Sequence, residues 1–257
     1  MKFTQKLFER AKGLKSTNPK LFKILQSMYR NKFIYYSRHY LRYKYLPILT
    51  GSYSQYGEDD IIDKLLGYKS KGIYIDIGAN RPKMMNNTYM FYKKGWRGIN
   101  IEPQTNLYKR FLKYRSDDIN LNLGIGNSKE KNLEFYIFKE DELSTFSNDA
   151  YKHYIKKGHE FDRVELVEIK SLSDVINEHI NEIKEIDFMS IDVEGLEIDV
   201  LDSYDWQIKP KMIVLESNGQ NDSGDNVVNL HLKYLEKYDY YLAYFNGLNS
   251  FFMLKNK

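Results

Sequence analysis

Apolar residues recur along this chain in two rhythms, and the change of rhythm marks out its elements. Short β-branched and aromatic runs at 72–77, 99–101, 119–125, 186–191 and 212–215 read as buried strands. The stretch 132–138 alternates apolar with polar residues, and 164–169 adds a further short strand. Between these runs apolar residues fall three or four apart, as at Ile61, Ile62, Leu65 and Leu66. That spacing predicts helices over 58–66, 85–94, 104–113, 172–180 and 226–237, the first two closed by Gly67 and Gly95. The segments 240–245 and 250–254 flank Asn246 and Gly247 as the arms of an antiparallel hairpin do. Strands alternating with helices and then a hairpin predict an α/β fold, a doubly wound and mostly parallel sheet with an antiparallel C-terminal edge. The least regular region, 144–165, is expected to build a lid over a substrate.

The richest segment lies between Gly72 and Pro103. Gly72-Ile-Tyr-Ile-Asp-Ile-Gly-Ala-Asn80 reads as a buried strand entering a tight turn, and open α/β sheets bind ligands at such strand ends. Gly78 and Ala79 lack bulk, which lets backbone approach a ligand, while Asp76 and Asn80 add polar groups. Glu102 ends the second strand 24 positions after Gly78, close to the roughly 20 expected between a glycine turn and an acid that binds a ribose diol. The pattern G-x-G-x-x-G is missing, so a pyrophosphate has less room against the helix start. S-adenosylmethionine, with a ribose and no phosphate, fits better than NAD.

Four motifs in order carry a resemblance. Ser54-Gln55-Tyr56-Gly57-Glu58-Asp59, Asp76-Ile-Gly-Ala-Asn80 with Asn87-Thr88, Gly95-Trp-Arg-Gly-Ile-Asn-Ile-Glu-Pro103, and Ile191-Asp-Val-Glu-Gly195 with Glu197 are similar to the FkbM-type family of S-adenosylmethionine-dependent methyltransferases. The likeness spans about Ser54 to Leu254. It implies a class I methyltransferase, Rossmann-like sheet and, as in many relatives, O-methylation of sugars in surface polysaccharides or glycosylated metabolites. It also adds Gln55, Thr88 and Pro103 to the expected cofactor residues Asp76, Gly78, Ala79, Asn80 and Glu102.

Composition sets limits. With 257 residues, 42% hydrophobic and 29% charged, the chain suffices for one sizeable α/β domain plus an appendage. Zero cysteines exclude disulfides and thiolate chemistry. No run approaches the roughly 20 apolar residues of a membrane span and no signal peptide is evident, so a cytoplasmic protein is expected. Charge is uneven: residues 1–50 hold twelve Lys or Arg against one acid, Glu9, for a net of +11, while the whole chain carries only +4. The expected organisation is a basic, aromatic-rich helical arm over 1–52 and a methyltransferase domain over 53–257. The arm reads first as helices packing on the domain or on a second subunit, which allows a homo-oligomer. Peripheral contact with a membrane surface is a further reading, and no nucleic-acid signature is present.

A hydroxyl is a poor nucleophile until it loses its proton, so methyl transfer to oxygen calls for a base or a metal. Asp192 and Glu194 follow one central strand and Glu216 the next, where strand-end acids meet the cofactor crevice. Glu194 has a second reading as the acid that complements the start of the following helix. An Mg²⁺ site from Asp192, Glu216 and Asn218 is a lesser expectation, since no dense ligand motif fixes it, and no metal ligand is assigned. His153 and His159 in the lid are further candidates for a base, while His231 is expected to pack. The function expected is O-methylation of a sugar hydroxyl on a nucleotide-linked or otherwise phosphorylated precursor. The rival is a noncatalytic cofactor-binding or scaffolding subunit docked through the arm.

Overall fold

The computed structural model describes residues 51–179, 184–217 and 226–255, so the expectations for the arm and for Asn218 lie outside the described residues. A seven-stranded sheet runs in the order β3-β2-β1-β7-β8-β10-β9. Its strands are β1 (Ile73–Ile77), β2 (Arg97–Ile101), β3 (Ile119–Leu121), β7 (Phe188–Ile191), β8 (Met212–Glu216), β9 (Tyr240–Phe245) and β10 (Asn249–Leu254). The first five pair in parallel, and β10 pairs antiparallel with both β8 and β9. This is the mostly parallel α/β sheet with an antiparallel edge that the sequence pattern predicts.

Period two in the strands sorts side chains onto the two faces. Ile75, Ile77, Ile99, Ile101, Ile191 and Leu215 form one buried layer with α5 (Leu172–Glu178), α6 (Glu197–Asp202) and α7 (Val227–Leu235). Tyr74, Phe188 and Val214 form the other, with α1 (Glu58–Leu65) and α2 (Tyr89–Lys93). Trp96, expected to pack helix on sheet, is buried there against Phe91 and Phe188. A third helix, α3 (Thr105–Tyr114), buries Leu107 and Phe111. Among the described residues no helix is long and apolar enough to cross a membrane.

Several elements depart from the sequence pattern. The strand expected over 119–125 is two strands, β3 and β4 (Gly124–Ile125), because the chain leaves the main sheet at Asn122. There the Asn122 amide donates to the carbonyls of Glu102 and Pro103. β4 joins a second, three-stranded sheet with β5 (Asn132–Phe138) and β6 (Phe161–Lys170), so 132–138 does not extend the main sheet. The irregular region contains a helix, α4 (Asn148–Lys156), capped by the Ser147 side chain accepting from the Ala150 amide. Helix α2 is shorter than 85–94 because residues 82–88 bind polar groups beneath β1 instead of winding.

Those groups centre on Arg115, which has no exposed surface. Its Nε donates to Asp118 at 2.9 Å, Nη1 to the Pro82 carbonyl and Asn86, and Nη2 to the Tyr74 hydroxyl, Thr88 and Asn100. Asp118 accepts in turn from the Tyr74 hydroxyl, the Gly98 amide and Asn100. Charge and hydrogen bonds are thus satisfied together, the condition under which a buried ion pair is tolerated. Asp118→Ala, which strands the guanidinium, is expected to lower unfolding free energy by about 3 to 5 kcal/mol. Asp117→Ala, at a half-exposed pair with Arg97, is expected to change it by under about 0.5 kcal/mol. Urea unfolding of the two variants checks both.

Candidate active site

The parallel strands β1, β2 and β7 end at one edge, and a cleft of about 1080 Å³, part of it open to solvent, lies beyond them. Its floor is set by Gly78, at φ +76°. A Cβ at this position would fall on the Asp192 carbonyl oxygen, so the β1 and β7 turns close only over glycine. Two bonds tie the same turn to β2, from the Gly78 and Ala79 amides to the Ile101 carbonyl.

Glu102 stands at the end of β2 with its carboxylate spanning two loops. Oε2 accepts from the Asn80 amide and Oε1 from the Gln104 amide, both at 2.7 Å. Each oxygen keeps a lone pair, which leaves capacity for a diol. Burial pushes the carboxyl up to about 8 despite these two bonds. On this side of the cleft Pro103, Leu123, Ile125, Phe135 and Phe146 make an apolar slot, and Gln104 sits beside it. Only 5% of Gln104 is exposed, and its Oε1 meets no donor among the described residues.

Across the floor, β7 and β8 deliver Asp192, Glu194 and Glu216, one carboxylate oxygen from each lying within 4.8 Å of the others. Glu194 takes φ 54° and Gly195 φ 94°, a left-handed pair that turns the Glu194 side chain into the cleft. A non-glycine residue adopts this conformation at a cost of roughly 1 to 2 kcal/mol. Glu197 supports the turn by accepting from the Val193 and Gly195 amides, so it, rather than Glu194, serves the start of α6. The cleft walls that close around its carboxyl and then the neighbouring acids raise Asp192 above the usual carboxylate range, although the residue keeps exposed surface. The same causes push Glu194 up to about 8. Asp192 and Glu194 therefore titrate together, with Glu216 beside them as the third acid of the group. Their spacing also admits a divalent cation, which would satisfy the charges as protonation does.

The structure brings Gln55, Gly78, Asn80, Glu102, Pro103, Asp192, Glu194 and Glu216 to the cleft. Asp76, Ala79 and Thr88 lie behind its wall. Asp76 accepts from Asn86 at 3.0 Å and Thr88 at 2.7 Å, while Asn86 also holds the Ala79 carbonyl. These bonds brace the loop from beneath rather than facing a ligand. His153 is exposed and His159 packs on Tyr154, neither lining the cleft. His231 is buried 2.8 Å from the Ser217 hydroxyl, and burial pushes its ring down to about 4, so it packs as a neutral group.

Two features had no sequence signal. Tyr154, on α4, donates from its hydroxyl to Glu194 at 3.3 Å, which brings the insertion against the acids. Arg81, after β1, pairs with Asp141 and Glu142 of the short 3₁₀ turn Asp141–Leu143 at 3.3 and 3.2 Å, drawing that strap over the cleft.

No curated protein is similar enough in sequence to count as a match. Among solved structures, the chain is similar to a TehB-like SAM-dependent methyltransferase from Corynebacterium glutamicum, at 11% identity over 86% of this chain and 98% of that one, with a TM-score of 0.42. It is also similar to the 1,6-didemethyltoxoflavin-N1-methyltransferase of Burkholderia thailandensis, at 9% identity over 84% of each chain and a TM-score of 0.40. A third similar structure is Aeropyrum pernix fibrillarin with bound S-adenosyl-L-methionine, at 8% identity over 77% of this chain and 75% of that one and a TM-score of 0.39. The methyltransferase FkbM domain matches residues 76–242, from the acid of β1 into β9 and well over half of the 257 residues, and the chain therefore belongs to the FkbM family of S-adenosylmethionine-dependent methyltransferases.

Proposed function

We propose that the protein methylates a sugar hydroxyl in a precursor of a surface polysaccharide or similar glycan. The observation that carries this reading is the acid trio, Asp192, Glu194 and Glu216, facing the same cleft as Glu102. The chemistry of the cleft suits the family's cofactor: Glu102 keeps lone pairs for the ribose diol, and the apolar slot suits a flat ring. Bound there, S-adenosylmethionine supplies an electrophilic methyl group on a sulfonium. Glu102, Asn80 and Gly78 hold and orient it, while the strap paired to Arg81 restricts water. The trio takes the proton that the acceptor hydroxyl gives up, and Tyr154 steadies Glu194 as it does so.

The described lining of the cleft holds six carboxylates and no Lys, Arg or His. Any phosphate on a nucleotide-linked acceptor is therefore assigned outside it, where the exposed Lys152, Lys156 and Lys157 of the insertion offer cations.

Three outcomes follow. Glu102→Ala is expected to weaken S-adenosylhomocysteine binding by about tenfold to a hundredfold, the worth of two lost hydrogen bonds to a diol, with Glu102→Gln intermediate; calorimetric titration reads this, and an unchanged affinity removes the ribose assignment. Asp192→Asn is expected to cut turnover by about 10² to 10⁴ while binding S-adenosylhomocysteine within about twofold of the parent, and a fully active variant ends its role as proton acceptor. The third concerns pH. The folded chain keeps protons on Glu102 and Glu194 up to about 8, against an ordinary 4.5, so the folded state binds more protons than the unfolded one between these values. Stability should fall as pH rises across that window, whereas turnover should rise toward pH 8 as Glu194 becomes able to accept a proton. Thermal unfolding and initial rates from pH 5 to 9 must move in opposite directions.

A further inference from the structure

On the cofactor reading just given, S-adenosylmethionine must enter and leave a cleft that the strap 140–144 overhangs. The strap is anchored at both ends. The Lys139 amide donates to the Glu160 carbonyl at 2.9 Å, and Tyr136 and Thr145 exchange amide-to-carbonyl bonds of 2.9 and 3.1 Å. Between these anchors lies one 3₁₀ turn, Asp141–Leu143, whose two acids reach the cleft lining. Burial raises the Glu102 carboxyl first, and Asp141 is close enough to add to that rise. Glu142 stands in the same relation to Glu194, behind burial, Glu216 and Glu197. The strap thus reaches both the cofactor acid and the acids that follow β7. Its position is electrostatically unfavourable in itself, since it brings two further carboxyls to a cleft that already holds four, and lifting the strap relieves that cost.

Arg81 opposes the lift. Its Nη2 meets Asp141 at 3.3 Å and Glu142 at 3.2 Å, and the three side chains are 26%, 24% and 41% exposed, so water can replace these contacts when they part. The loop that carries Arg81 is held from both sides. Asn80 and Met85 take left-handed φ of 52° and 53°, a conformation that persists only where neighbours impose it. Glu102 accepts from the Asn80 amide, and the buried Arg115 donates to the Pro82 carbonyl, one residue to either side of Arg81. Arg81 is therefore a fixed jaw, and the strap is the part that can move.

We propose that Arg81 is the latch of the cofactor site: its ion pairs with Asp141 and Glu142 hold the strap down over the cleft, and their parting opens the path by which the cofactor enters and leaves. Such a latch acts on rates rather than on affinity. The strap must lift for passage in either direction, and Arg81 holds it over the empty and the filled cleft alike, so weakening the latch speeds entry and exit together.

The test measures association and dissociation of S-adenosylhomocysteine on the full chain by surface plasmon resonance, with affinity from calorimetric titration. In Arg81→Gln both rate constants are expected to rise by about threefold to tenfold, the worth of two partly exposed ion pairs, with the dissociation constant within about twofold of the parent. Arg81→Lys keeps the charge without the guanidinium fork and should fall between the two; it is the second variant should Arg81→Gln not fold. In a chain already carrying Asp141→Asn and Glu142→Gln, adding Arg81→Gln should change either rate by less than about twofold, because the partners of the latch are gone. Unchanged rates in Arg81→Gln overturn the latch and leave the cofactor reading standing. A weaker affinity at an unchanged association rate, the sign of direct contact between Arg81 and the ligand, overturns it as well, and so does an effect that survives in the chain lacking both strap acids. Failure of the parent chain to bind S-adenosylhomocysteine overturns the cofactor reading and the latch together.

Discussion

Strands β1 and β7 end against each other with nothing but backbone between them. Position 78 has no side chain, and the space a Cβ would need is filled by the Asp192 carbonyl. The Asp192 amide in turn donates to Ile77, so the two strand ends are stitched together as well as packed. This close approach decides where the acids stand. It sets the β7 turn beside the β1 turn, and the left-handed pair Glu194 and Gly195 then directs a carboxylate back over the cleft. The bonds from Gly78 and Ala79 to Ile101 fix β2 in the same frame, and with it Glu102. Glu102 and the acids that follow β7 are thus referenced to one glycine.

A turn so tightly specified needs support on its far side, and Arg115 provides it. The guanidinium reaches Pro82, Asn86 and Thr88 from α3's end, and Asn86 and Thr88 pass the constraint to Asp76. Burial raises the Asp76 carboxyl, and the bonds from Thr88 and Asn86 with the nearby guanidinium oppose that rise. An apolar core could fill this volume, but it could not hold a loop of polar backbone in a single conformation. The network trades burial of a charge for a fixed loop geometry beside the site.

The sequence makes the sheet and the ends of its strands legible because burial imposes a simple period. Ile73 to Ile77, Phe188 to Ile191 and Met212 to Leu215 are apolar runs bounded by polar residues, so the strand-end positions of Glu102, Asp192 and Glu216 could be read directly. What side chains do beneath the surface is less legible. Asp76 and Thr88 carry the chemistry of ligand contacts, yet they face Asn86 and Arg115, since residue type does not reveal which side of a turn a polar group takes. Asp118 reads as a turn residue and is instead the counter-ion of a buried arginine three positions earlier. Tyr154 sits in a segment with no apolar rhythm, and its contact with Glu194 spans 40 positions of chain, a separation no local pattern encodes.

The trio also sets a condition on when the site can work. Carboxylates this close repel one another, so the free protein holds its Asp192 and Glu194 protons to higher pH than isolated carboxyls do, Glu194 to about 8. A protonated carboxyl cannot take a hydroxyl proton. Positive charge brought into the cleft favours the ionised form and releases those protons. Binding would then prepare the base, and the unliganded protein would keep its acids quiet. The direction of coupling is testable in principle from proton release on binding, and it explains why a proton acceptor should be built from mutually repelling acids instead of a single one: repulsion stores the response that charge in the cleft elicits.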